Sequence, residues 1–388
     1  MPNRRNFLKA ASLIPVVAAT GSSVFAQTQP IRRFHAPAPC LVGLNAYSFS
    51  KQLNNVVKGR STGGGKANGK GKGNGSGKAK TSSNSDAMTL QQLLDYCVDP
   101  EHTFDAVDIT GYYFPNYSAS EATVPPDAFV DEIKNRASDL GLAICGTGIG
   151  NSLTGVPFDR EGKNGIVFST DEGGDRATIE NEIVRIKAWI EVAARLGAPV
   201  LRVFTGLEPS YLMKEHVKPD DPQKEEKATK LQAWRAATFA HMADDLGDIV
   251  EHAKKFGVII GIQNHGDFLK TANETIELIE AVNSEWIGVI VDTGYFLTPD
   301  PYLDVERVLP YAVNFQVKEY VRKSPTEYAA AEFHPIDMMR LVKIVRNSKY
   351  QGYLPIETVT AGTTESMDPY VNVPALLKKL RAAIQETA

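Results

Sequence analysis

Paired cysteine motifs are missing from this chain. Its three cysteines, Cys40, Cys97 and Cys145, form no C-x-x-C or Cys/His cluster, so no zinc finger is encoded. Cys97 and Cys145 fall in apolar helix and strand contexts, where a thiol acts as a small buried hydrophobe. A Gly-rich phosphate loop is missing as well. The first strand runs into SFSKQL rather than G-x-G-x-x-G, which removes the main mark of a doubly wound dinucleotide fold. The apolar run near the N-terminus is shorter than the ~20 residues a membrane-spanning helix needs. Nor is there a basic folded surface. The chain is −4 overall; residues 51–87 hold eight basic groups and one acidic, a net of +7, and Arg4, Arg5 and Lys9 add +3, which leaves −14 for the remainder. A body that acidic argues against a nucleic-acid partner, whose phosphates need cations facing them.

What stands at the N-terminus is a targeting pattern. Arg4-Arg5-Asn6-Phe7-Leu8-Lys9 precedes a short apolar run and a small-residue cleavage site near Val24-Phe25-Ala26. This reads as a twin-arginine signal over residues 1–26, with an exported, periplasmic mature chain beginning near Gln27. An ordinary first helix is the plain alternative. The twin-arginine route carries folded passengers, which fits a protein assembled around a metal or cofactor before export. Farther on, residues 58–85 read KGRSTGGGKANGKGKGNGSGKAKTSSNS, with no large apolar side chain to anchor a core. That composition predicts a disordered insertion, a solvated tether rather than an ordered lid.

The rest of the chain alternates short β-rich runs with amphipathic helical stretches. Strands are predicted at Leu41–Ser48, Phe104–Thr110, Leu142–Thr147, Val200–Thr205, Val258–Asn264, Ile287–Asp292, Ala312–Val317 and Tyr353–Thr358. Helices are predicted between them at Ala87–Cys97, Asp127–Asp139, Thr178–Leu196, Lys227–Phe256, Thr271–Val282, Val305–Leu309 and Pro335–Asn347, with a last one at Val373–Glu386. Gly141, Gly197 and Gly257 each sit between a helix and the next strand, as left-handed C-terminal caps do. Eight such units imply right-handed parallel crossovers closing into a single (β/α)8 TIM barrel over residues 27–388. An open doubly wound sheet is the competitor, with fewer strands expected.

A barrel places function at the C-terminal ends of its strands, and the polar residues of this chain gather there. Tyr47 ends the first strand and Asp108 the second, with Tyr112 just beyond it. Arg202 lies in the fourth; Gln263, Asn264 and His265 end the fifth; Asp292 ends the sixth. Gln316 and Lys318 end the seventh, with Glu319 next in line, and Glu357 ends the eighth. Residues two apart share a face, so Gln263 with His265, and Gln316 with Lys318, are expected to point inward together. An inward Arg202 or Lys318 needs an anion, and Asp292 and Glu357 are the obvious ones. The plain reading of those four is a structural ion-pair set, of His265 a loop cap, and of Tyr112, Tyr113 and Phe114 a packed aromatic rim.

The ordered strings GLNAYSF, FDAVDITGYYFP, LRVFTG, GIQNHGDF, VDTGYF, NFQVKEY and LPIET resemble the strand ends of the xylose isomerase-like sugar isomerase/epimerase superfamily. The resemblance implies a divalent cation held by residues at the ends of strands five to eight, which here are Gln263, Asp292, Gln316 and Glu357. Two of these match the family pattern of glutamate, aspartate, histidine and glutamate; Gln263 and Gln316 depart from it. Affinity should fall with the lost charge and shift to hard ions such as magnesium, manganese or calcium. The resemblance further implies proton transfer next to the carbonyl of a small carbohydrate or keto-sugar. Glu357 would be the base, Lys318 and His265 electrophilic or orienting groups, and Tyr47, Asp108, Tyr112, Arg202, Asn264 and Glu319 substrate contacts. Lyase chemistry on a keto-sugar falls within the same reading. Gln263 cannot accept a proton, which weakens the two-carboxylate route to epimerisation. A sugar-binding protein without catalysis is the alternative from another class; an endonuclease of the same fold would need more histidines and a basic face.

Overall fold

Eight parallel strands form one sheet in the computed structural model of this protein, which describes residues 32, 35–54, 87–156, 175–209, 220–265, 268–325, 331–359 and 368–388. The strands are β1 (Val42–Asn45), β2 (Ala106–Thr110), β3 (Ala143–Gly148), β4 (Val200–Val203), β5 (Ile259–Gln263), β6 (Ile287–Asp292), β7 (Ala312–Gln316) and, after a short hairpin, β10 (Leu354–Ile356). Their order is β10-β1-β2-β3-β4-β5-β6-β7, so sequential neighbours pair throughout. Each predicted strand is present, most of them trimmed by up to four residues in all, β6 unchanged and β3 running one residue further to Gly148; the signal (residues 1–26) and the insertion (residues 58–85) lie outside the described residues.

The ring closes between β7 and β10 through a single parallel bridge, Val317 with Ile356. Val317 N donates to Pro355 O at 2.8 Å, and Glu357 N donates to Val317 O at 2.9 Å. One step lower the donor would be the backbone nitrogen of Pro355, which carries no hydrogen, so the ladder stops there. The narrow seam is a direct product of the LPIE sequence.

Helices α1 (Leu90–Cys97), α2 (Asp127–Asp139), α3 (Arg176–Leu196), α4 (Lys224–Phe256), α5 (Ala272–Val282), α6 (Pro301–Val308), α7 (Met338–Arg346) and α8 (Pro369–Glu386) cover the outside of the sheet. Their starts follow local chemistry. Thr89 and Thr271 each make a capping box, with Gln92 and Glu274, and Asp175, Asp337 and Asp368 cap through their carboxylates. Gly197 and Gly257 end α3 and α4 at φ of 80° and 69°, the left-handed geometry that a side chain would strain. The core between helices and strands is continuous, from Leu44 and Trp189 to Ile356 and Leu380. Cys40, Cys97 and Cys145 are free and buried, the last two as their contexts predict.

One feature was not expected from the sequence. Between β7 and α7 the chain forms an antiparallel hairpin of β8 (Tyr320–Lys323) and β9 (Glu332–Pro335). No helix among the described residues is long and apolar enough to cross a membrane.

Candidate active site

The barrel mouth is built around a buried ammonium. Lys318 follows β7 two residues after Gln316, so both side chains enter the barrel, and Lys318 is 1% exposed. Its Nζ donates to Glu357 Oε1 at 2.7 Å and lies 3.5 Å from Asp292 Oδ2. Burial pulls the lysine down, but Asp292 and Glu357 together outweigh it and hold the ammonium above the usual lysine range. Burial also pushes the Asp292 carboxyl up, with Lys318 pulling it back. Gly294 N donates to Asp292 Oδ1 at 2.9 Å and fixes that carboxylate from the other side.

The two glutamines complete a polar belt. Gln263 Nε2 donates to Asp292 Oδ2 at 2.6 Å. The neighbours of Gln316 set its orientation: its nitrogen donates to Glu357 Oε2 at 2.7 Å, and its oxygen accepts from Asn45 Nδ2 at 3.0 Å and Arg202 Nη1 at 3.2 Å. Gln263, Asp292, Gln316 and Glu357 therefore meet, as the resemblance implies.

They do not fit a divalent ion as they stand. Both amides turn a nitrogen towards a carboxylate, and a metal needs the oxygen. The mouth is also already balanced: Asp292 and Glu357 carry two negative charges, and Lys318 and Arg202 two positive ones. A divalent ion about 4 Å from the ammonium would be repelled by on the order of 8 kcal/mol at an effective dielectric near 20. Among the described residues no group of three or more His, Cys, Asp or Glu could hold a metal. The expected ligand set thus comes together, but around Lys318.

Other expected contacts divide in two. Arg202 enters the mouth over Gly148, where a Cβ would fall 2.6 Å from that of the arginine. It does not pair with Asp292 as expected. Its Nη2 donates to the Tyr112 hydroxyl at 3.2 Å and its guanidinium lies 4.8 Å from the Phe204 ring centroid. Tyr112 sits in a 3-10 turn, edge-on to Tyr47 with ring centroids 6.4 Å apart, so the aromatic rim is packed and also offers hydroxyls to the mouth. His265 is half-buried, stacked on Tyr295 at 4.4 Å and beside Phe204. Glu319 is half-buried; burial raises its carboxyl above the usual range.

Two expected contacts are used elsewhere. Asn264 Nδ2 donates to Asp292 O at 2.9 Å and its Oδ1 accepts from Asp292 N at 2.8 Å, so its amide is spent clipping β5 to β6. Asp108 lies one layer below the mouth, where Asn314 Nδ2 donates to its Oδ2 at 3.3 Å. Desolvation pushes its carboxyl up to about 6 against the pull of Arg202.

Several residues escaped the sequence reading. Asn45 is two residues before Tyr47 in GLNAYSF, and that alternation is the signal that points it inward. Tyr295 carries both His265 and the Arg322 guanidinium, 4.3 Å from its ring. Glu208, Lys270, Arg235 and Glu274 form a linked set of ion pairs that ties the loops after β4 and β5 to α4 and α5. These four are scattered over the sequence and had no local signal. Four buried polar atoms at or just below the mouth have no hydrogen-bond partner among the described residues: Asp108 Oδ1, Arg202 Nε, Gln263 Oε1 and Glu319 Oε2.

Comparison with known proteins agrees with the barrel fold. No curated protein sequence matches the chain. Among solved structures it is similar to a xylose isomerase domain protein from Planctomyces limnophilus (TM-score 0.52, 13% identity, 91% of this chain and 99% of that one). It is similar also to 3-keto-D-glucoside 4-epimerase from E. coli (0.51, 14%, 76% and 94%) and to mannonate dehydratase from Streptococcus suis serotype 2 (0.51, 15%, 78% and 93%). At these identities the likeness is one of fold. The family described as Xylose isomerase-like TIM barrel matches over residues 100–382, and the chain belongs to that family.

Proposed function

We propose that this protein is an exported enzyme of the sugar isomerase/epimerase kind, moving a proton next to the carbonyl of a small carbohydrate or keto-sugar. The observation that carries this reading is the buried Lys318–Glu357 pair beneath a mouth that holds unpaired polar atoms. Unpaired buried acceptors and donors are costly unless a ligand satisfies them, and a polyhydroxylated substrate offers the complementary groups. Glu357 is the base. Lys318 stands within hydrogen-bond reach of it and supplies a positive charge where the carbonyl oxygen becomes negative. Arg202, Tyr112 and Tyr47 hold hydroxyls, and His265 is the second group able to carry a proton.

Gln263 removes one base from the site, so a proton taken and returned on one face by Glu357, or lost in an elimination, is favoured over inversion between two carboxylates. The dehydratase among the structural relatives is consistent with the elimination branch. The second reading, a sugar-binding protein without catalysis, draws on the two amides, which suit hydroxyls as well as any carboxylate.

Incubation with a panel of keto-sugars in D2O separates the two. Deuterium should appear at a sugar carbon with the wild type, and Glu357→Gln should slow the exchange ~10²–10⁴-fold while its melting transition stays cooperative. Sugar binding by both proteins with no exchange in either would establish the binding protein instead.

A further inference from the structure

The cation of this mouth is part of the chain. We propose that the Lys318 ammonium permanently occupies the cation position of the barrel, so that the site works with no divalent ion. This goes beyond the proton-transfer reading and holds whether the mouth catalyses or only binds sugar.

Three observations converge on it. Lys318 Nζ is in contact with Glu357 and within 3.5 Å of Asp292, the two carboxylates a metal would use. Its stem is fixed: Lys318 N donates to Thr293 Oγ1 at 2.9 Å, and a Cβ on Gly294 would strike Lys318 Cγ at 2.9 Å, so the lysine packs against a backbone shaped for it. Tyr295 closes the remaining side, with its ring 5.4 Å from Nζ. The third observation is the amides. Gln263 and Gln316 each direct N–H at a carboxylate, the orientation that complements an anion-rich belt around one ammonium. Glutamate or histidine in those places would add charge, or a lone pair, that a single positive charge leaves unanswered. Neutral amides and a resident lysine are thus two halves of one substitution.

The test is Mn2+ titration of the full chain, read by the EPR signal of free Mn2+, with metal analysis of the protein as purified. The wild type should contain no stoichiometric divalent ion, bind Mn2+ no tighter than ~1 mM, and melt at the same temperature with EDTA or with Mn2+. Lys318→Met should bind Mn2+ at least ~10-fold more tightly, because the repelling charge is gone. Lys318→Gln, which keeps a donor for Glu357, serves where the methionine variant does not fold. A wild type that retains one equivalent of divalent ion overturns the proposal. So does a folded lysine variant that gains no affinity, since the amides alone would then exclude the metal.

Discussion

At the scale of single residues, the molecule keeps an ionisable group where its charge is unwelcome. Asp108 is buried, half satisfied by Asn314, and pushed up to about 6 from an ordinary 3.8. The folded state therefore binds this proton more tightly than the unfolded chain does. The stability this contributes is full below the unfolded value of 3.8 and is lost as pH rises through about 6. Asp108→Asn keeps the contact with Asn314 and removes the titration. The difference in unfolding free energy between variant and wild type should shift in the variant's favour by up to about 3 kcal/mol across that window. Denaturant unfolding at several pH values reads it directly, and a difference independent of pH would refute it. The partners of single residues were harder to read from sequence than their direction. Alternation placed Gln316 and Lys318 inside correctly, because strand geometry fixes facing two residues apart. It could not tell that Arg202 would turn to Tyr112 while Lys318 took both carboxylates, since that depends on Gly148 and Gly294 leaving room for the two cations.

At the scale of elements, the strands were legible because each is a buried run bounded by a helix cap or a glycine, and all eight fell within a few residues of their expected limits. The β8–β9 hairpin was not. β8 is buried at Tyr320 and Val321 and half-buried at Arg322 and Lys323, while β9 is mostly exposed and carries Glu332 and His334, so the pair lacks the alternation that marks a sheet packed on one face. The weakest joint is a matter of elements too. Where Pro355 withholds a donor, β7 and β10 are held by two backbone bonds, whereas β5 and β6 pair over four consecutive registers. Hydrogen exchange should find the amides of Val317 and Glu357 opening before those of Ile260 and Ile262. Equal protection in both places would mean that the seam is as firm as the rest of the ring.

At the scale of the whole molecule, charge is segregated along the chain. Residues 51–87 carry +7, and the part that forms the barrel is strongly acidic. The export reading stands apart from the resident lysine and has its own test. Changing Arg4 and Arg5 to lysine together should leave the precursor in the cytoplasm, as judged by cell fractionation; unchanged delivery to the periplasm would remove the twin-arginine assignment. The seam gives the site one more meaning. Lys318 follows β7 and Glu357 follows β10, so their 2.7 Å contact spans the joint that proline leaves underbonded. The circumference of the barrel is fastened by the proposed base and its neighbouring ammonium, so Glu357→Ala, which removes the contact, should let the ring come unbuttoned at that point, whereas Glu357→Gln, which keeps an acceptor for Lys318, should not.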